Sequence, residues 1–306
     1  MESLKGRDLL SMADLSSAEV AGIVTMAIEL KTGKIDPRTR KNLGLLFTKA
    51  STRTRVSFTA AMYQLGGQVI DLNPNSTQIG RGEPLQDTAR VLDRYLDILA
   101  IRTFDQQDLE LFAANAKMPI INALTDLEHP CQVLADLQTI QEHFGTCQGL
   151  KLAYCGDGNN MAHSLLIGGA LVGMDVAVAA PDGFAPATRV VAQAEKIAQG
   201  TKAKITITED PAVAVRGANI VYTDVWASMG QEAEAIDRIP LFMPYQVNKQ
   251  LMSLADAKSI VLHCLPAHRE EEITEEVLEG DRSKVWDQAE NRLHAQKALI
   301  IALLGL

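Results

Sequence analysis

The sequence predicts an α/β protein in two domains, and three observations carry that expectation. Between Leu43 and Leu72 a short apolar run, a helix-spaced stretch and a second apolar run follow one another, the order of a βαβ unit. Similar alternation of short apolar runs with helical patterns recurs down the chain. The length, 306 residues, exceeds a typical single domain. A glycine-bounded turn at Gly145 to Gly149, after which the pattern restarts, gives a first domain of 1–145 and a second of 146–287.

Each element has its own signal. Ser16 and Glu19 have capping-box spacing, and Val20, Ile23, Val24, Ala27 and Ile28 form one helical stripe. Leu43 to Phe47 has the length of a buried strand. Phe58, Ala61, Met62 and Leu65 then fall at helical spacing, Gly66-Gly67 stops the helix, and Gln68 to Leu72 reads as an apolar strand. A polar loop from Asn73 to Glu83, with two glycines around Arg81, suits either a lid or a long connection. Pro84 opens the next helix. Strands are expected at Asp97 to Ile101 and Pro119 to Ala123, with a helix from Phe104 to Lys117 and another after Pro130. In the second domain, strands are expected at Lys151 to Cys155, Val176 to Ala180, Lys204 to Thr208, Asn219 to Thr223 and Ser259 to Leu262. A helix is expected over Pro186 to Gln199, a solvated helix face over Glu270 to Glu276, and a long apolar helix over Gln288 to Leu306.

Composition excludes several classes of function. A net charge of −9 argues against general affinity for nucleic acid or an anionic membrane, so any anion site must be a local basic pocket. No apolar run approaches the ~20 residues of a membrane span. The N-terminus lacks a basic segment followed by an apolar one. Cys131, Cys147, Cys155 and Cys264 show neither a CxxC pair nor zinc-ligand spacing, which fits a reducing cytoplasm and no bound metal.

The chemistry-bearing residues lie at strand-to-helix turns. Ser51-Thr52-Arg53-Thr54-Arg55 sets hydroxyls and guanidiniums where free backbone N–H groups and the positive end of a helix dipole gather, which suits a phosphate. The plain structural alternative is an N-cap followed by exposed arginines. Arg102 stands at a strand end, where open α/β sheets bind ligands. His129-Pro130-Cys131-Gln132 opens a helix with a switchable donor and an amide. Gly156-Asp157-Gly158-Asn159-Asn160-Met161 looks like a dinucleotide fingerprint, but Met161 occupies the third glycine position and no acidic residue ends the next strand. A nicotinamide dehydrogenase is therefore disfavoured. Asp224, before Ser228-Met229-Gly230, suits an α-amino group or the cap of a following helix. Cys264 follows the last strand, before Pro266, in His263-Cys264-Leu265-Pro266.

Taken in order, STRTR, HPCQ, DVWASMG and HCLP resemble the ornithine carbamoyltransferases over nearly the whole chain. The residues before STRTR, Thr48-Lys49-Ala50, depart from the Glu-Lys-Pro of many members. The resemblance implies two doubly wound domains, each with a central parallel sheet flanked by helices. The first holds carbamoyl phosphate, with a C-terminal helix (288–306) packing back on it, and the second holds ornithine. It implies that Ser51, Thr52, Arg53, Thr54, Gln78, Arg102, His129, Gln132, Cys264, Leu265 and Arg292 bind carbamoyl phosphate. Asn160, Asp224, Ser228 and Met229 would bind ornithine, and Cys264, Arg102, His129 and Asp224 would act in catalysis. It further implies no cofactor, a cytoplasmic homotrimer or multiple of trimers with shared active sites, and a loop at Gln78 to Gly82 that reaches a neighbouring subunit. A related acceptor, such as putrescine or an acylated ornithine, remains an alternative.

Overall fold

The computed structural model describes residues 4–73, 78, 82–227 and 235–306. They form two compact units, one of Met1–Gln138 with Glu290–Leu306 and one of Thr139–Ala289. The division falls inside two helices, whereas the sequence put a boundary in the turn at Gly145 to Gly149. A glycine turn marks where a helix stops, and a compact unit can end before that point.

In the first unit, β1 (Asn42–Phe47), β2 (Gln68–Leu72), β3 (Ile98–Arg102) and β4 (Ile120–Leu124) make a parallel sheet in the order β2-β1-β3-β4. Helices α1 (Ser17–Lys31), α2 (Arg53–Gln64), α3 (Leu85–Leu92), α4 (Gln106–Asn115) and α5 (Pro130–Phe144) complete the alternation. The capping box forms: the Ser16 hydroxyl accepts from the Glu19 N–H, and the Glu19 carboxylate accepts from the Ser16 N–H. The stripe on α2 buries Phe58, Ala61 and Met62, and Gly66 turns the chain at φ +84. Leu46, Leu99, Ile101, Leu109, Phe112 and Ile120 join one apolar core. Each such side chain contributes roughly 1.5–3 kcal/mol by leaving water. The expected apolar strand at 68–72 is a half-exposed edge strand, because β2 has a neighbour on one side only.

The second unit holds a five-stranded parallel sheet, β7-β6-β5-β8-β9. Its strands are β5 (Lys151–Cys155), β6 (Asp175–Ala179), β7 (Ile205–Thr208), β8 (Ile220–Thr223) and β9 (Ile260–His263). Around it run α6 (Asn160–Val172), α7 (Thr188–Thr201), α8 (Pro211–Val215), α9 (Ala235–Phe242), α10 (Lys249–Met252) and α11 (Glu275–Leu278). The final helix, α12 (Val285–Leu304), begins three residues before the expected start. From Glu290 onward it belongs to the first unit: Leu303 accepts the Gly6 N–H at 2.8 Å, and Asn291 accepts from Lys31 at 2.7 Å.

One expectation is overturned. Glu270 to Glu276 is not a solvated helix face; only Glu275 and Glu276 are helical, and Glu272 is fully buried. The charge run hid a core residue because its acidic neighbours do face water.

Gly158 shows how tightly the β5–α6 turn is packed. Its N–H donates to the Phe184 carbonyl at 2.8 Å, and a Cβ there would sit 2.3 Å from the Pro186 nitrogen. Gly158→Ala should therefore lower unfolding stability by roughly 1–3 kcal/mol, measured by urea denaturation.

Candidate active site

Parallel sheets leave a crevice where successive crossovers leave in opposite directions, at the carboxyl ends of the strands. In the first sheet that point lies between β1 and β3, and in the second between β5 and β8. Most of the described candidate residues sit at these two points.

At the first, Thr52 is the N-cap of α2 but makes no side-chain cap bond. Thr54 is buried and accepts from Arg292 Nη2 at 2.7 Å. Arg292 Nη1 donates to Gln132 Oε1 at 2.7 Å, and Gln132 Nε2 donates to Asp136 Oδ1 at 2.9 Å. That second bond fixes which end of the amide faces the guanidinium. Arg102 ends β3 beside a register shift, and its Nη1 donates to Ser51 Oγ at 3.4 Å. Burial is nearly complete for Arg102, His129, Gln132 and Arg292.

Burial and two neighbouring guanidiniums together set the protonation of His129. Burial first, then the charges of Arg292 and Arg102, hold the imidazole well below its usual value of 6.5. His129 is therefore a neutral donor or acceptor at neutral pH. Arg53 is exposed and pairs with no carboxylate among the described residues. Arg55 points elsewhere: it pairs with Asp71 and lies 5.0 Å from the Phe47 ring. The two arginines of the turn thus divide, one open to a ligand and one bracing β2. Gln78 is exposed, and its carbonyl accepts the Glu83 N–H at 3.2 Å; Ile79 to Arg81 lie outside the described residues.

At the second point, three strand ends lie side by side. Asp224 follows β8, Cys264 follows β9, and Asn159 and Asn160 follow β5. The Cys264 thiol donates to Asp224 Oδ1 at 2.9 Å, Asn159 Nδ2 donates to Asp224 Oδ2 at 2.9 Å, and the Val225 N–H donates to Oδ1 at 2.8 Å. Asp224 is thus a nearly buried carboxylate held in one orientation, complementary to a cation. Asn160 opens α6 and is half-buried. Ser228 and Met229 lie outside the described residues.

Several participants went unread in the sequence. Asn159 orients Asp224, and it also caps α6, accepting from the Met161 N–H at 2.9 Å. Buried Glu272 accepts from His263 Nε2 at 3.0 Å, while His263 Nδ1 accepts the Leu265 N–H at 2.8 Å. The imidazole therefore holds Leu265 at φ +58, a left-handed conformation that a branched side chain rarely adopts. Ligand atoms of Asp224, His263 and Cys264 lie within 4.8 Å of one another, but both His263 nitrogens are already engaged. Asn159 carried a legible signal, an Asn before a helical stripe; Glu272 carried none.

Residues 7–142 match the carbamoyl-P binding domain of aspartate/ornithine carbamoyltransferase, and residues 148–303 match its Asp/Orn binding domain. The chain belongs to the aspartate/ornithine carbamoyltransferase family. An ornithine carbamoyltransferase of Nostoc punctiforme is 66% identical over 305 residues, covering 100% of this chain and 99% of the relative. One from Synechocystis is 64% identical over 306 residues, covering 100% and 99%. The crystal structure of ornithine carbamoyltransferase from Gloeobacter violaceus superposes with a TM-score of 0.91 at 58% identity, covering 98% of this chain and 100% of that one. The enzyme from Pyrococcus furiosus gives 0.94 at 49% identity, covering 99% and 98%. The two α/β domains with helix-flanked parallel sheets are this family's fold.

The depressed His129 value has a consequence for stability. Below about pH 6.5 the unfolded chain binds a proton at this histidine that the folded chain refuses, so stability falls as pH drops. Wild type should lose up to ~1.4 kcal/mol per pH unit more than His129→Asn below that pH. Urea unfolding at pH 7.5 and pH 5.5 measures the difference; equal losses would mean the imidazole takes up its proton when folded.

Proposed function

We propose that this chain is an ornithine carbamoyltransferase, transferring the carbamoyl group of carbamoyl phosphate to the side-chain amine of L-ornithine to give L-citrulline and phosphate. The observation that carries the acceptor is the Cys264 thiol bonded to an immobilised Asp224 carboxylate, a charge suited to an α-ammonium group. The buried Arg102 and Arg292 beside neutral His129 support the donor.

The residue roles follow from chemistry. In the first unit, the α2 N-terminus at Ser51 to Thr54 and Arg53 receive the phosphate, with Arg102 helping to neutralise it. Thr54, Arg102 and His129 face the carbonyl oxygen as it gains negative charge, and Gln132 and Arg292 fix the carbamoyl group. In the second unit, Asn160 takes the ornithine α-carboxylate, while Asp224, Ser228 and the Met229 backbone take the α-amino group. The attacking amine must be neutral, although its pKa is about 10.4 in water. The N–C bond forms, a tetrahedral intermediate collapses, and phosphate leaves with the electron pair. Cys264 sits beside the amine as acceptor or relay for its proton. No metal, nucleotide or other cofactor enters these steps.

We read the protein as a cytoplasmic enzyme of arginine biosynthesis that works as a homotrimer or a multiple of trimers. Exposed Val56 and Tyr63 on α2 and Ile70 on the β2 edge support self-association. None of the described helices is long and apolar enough to cross a membrane.

Labelled carbamoyl phosphate offered with a panel of amines tests the reaction; faster turnover of putrescine than of ornithine would reject the acceptor. Arg53→Gly should abolish turnover while the cooperative unfolding transition persists, because this exposed side chain serves no core. Cys264→Ala should impair ornithine use more than carbamoyl phosphate binding, compared by steady-state kinetics and calorimetry. Sedimentation analysis gives the oligomeric state.

A further inference from the structure

An ion pair lies beside the acceptor turn that the reaction above does not use. Asp157 sits in the β5–α6 turn, three residues before Asn160. Its Oδ2 accepts from Arg238 Nη1 of α9 at 2.9 Å, and both side chains are largely buried. The same Nη1 donates to the Trp226 carbonyl at 2.9 Å, and the guanidinium lies 5.1 Å from the Phe184 ring. Trp226 stacks on Phe242 of α9 at 5.9 Å. Arg238 is thus held by the turn before Asn160, by the segment after Asp224, and by the Phe184 segment onto which Gly158 folds.

We propose that Arg238 is a specificity-determining positioning residue, whose charge cancels that of Asp157 so that the turn at Asn160 can receive an acceptor bearing an α-carboxylate. The inference rests on the ornithine reading and deepens it. A carboxylate in a largely buried turn repels an incoming carboxylate far more than it would in water. Asp157 lies close to this pocket: it is two residues before Asn159, whose Oδ1 accepts from the Tyr154 hydroxyl at 3.3 Å and whose Nδ2 donates to Asp224 Oδ2 at 2.9 Å. Asp224 is needed there to meet the α-ammonium group. Asp157 has no such task and would make the turn doubly negative. Arg238 removes the excess charge while leaving the backbone of the turn in place, so the pocket keeps one carboxylate for the ammonium group and none against the acceptor's own.

The test separates charge balance from mere bracing, because two variants break the same ion pair with opposite electrostatic effect. Arg238→Met takes the guanidinium away from Asp157 and should raise the KM for L-ornithine about ten-fold, with the KM for carbamoyl phosphate within about two-fold of wild type. Asp157→Asn removes the repelling charge and should leave the ornithine KM within about three-fold of wild type. The double variant D157N/R238M, with neither charge, should recover most of the loss, and it carries the test if R238M alone does not fold. L-Ornithinamide, whose carboxylate is a neutral amide, should compete with ornithine better in R238M than in wild type. Equal damage from D157N and R238M, or a double variant as impaired as R238M, would make the pair a structural brace and overturn the proposal. Failure of the wild-type protein to form citrulline would instead overturn the ornithine reading, and this inference with it.

Discussion

A parallel strand cannot be joined to its neighbour by a hairpin, so each connection crosses over through a helix and returns to the same edge. Everything functional in this protein depends on that constraint. It gathers the strand C-termini and helix N-termini on one edge of each sheet, where backbone donors are open and side chains can converge. The reversal of strand order beside β1 in one sheet and β5 in the other then opens a crevice at one position. Ser51 and Arg102 meet at the first reversal, and Asn159 and Asp224 meet at the second.

Within the first unit, Arg292 gathers the site. Its two terminal nitrogens reach Thr54 on α2 and Gln132 on α5, so one planar guanidinium sets the distance between two helix starts. A lysine could not span both with that geometry. Burial first, and then the fields of Arg292 and Arg102, keep His129 neutral in a protein whose overall charge is −9. The second unit solves the opposite problem. It sets one carboxylate, Asp224, at the turn and immobilises it through Asn159, the Cys264 thiol and the Val225 N–H. Buried positive charge is thus collected at the strand ends of the first unit, and a buried carboxylate at those of the second.

The reading from sequence failed where a residue's local context argued one way and its packing another. Glu272 looks solvated because Glu270, Glu271 and Glu275 surround it, yet it is buried against His263. Gln68 to Leu72 is the strand its sequence predicts, but its place at the sheet edge leaves it half-exposed. The two arginines of the Ser51 to Arg55 turn look alike, yet Arg55 is spent on Asp71 and Phe47. Strand positions were legible to within about a residue, since a short apolar run bounded by turn residues admits few alternatives.

The sequence by itself determined the alternation of strands and helices, the turns that carry chemistry and the order of motifs that marks the family. Those properties are local, set by spacing along the chain and by the conformational limits of proline, glycine and capping residues. Only the tertiary structure decided which polar groups face one another. The Arg292–Thr54 pair is separated by 238 residues, and the Cys264–Asp224 pair by 40. Such pairs are chosen by sheet order and by the cost of leaving a buried polar atom unsatisfied, conditions that no spacing rule encodes.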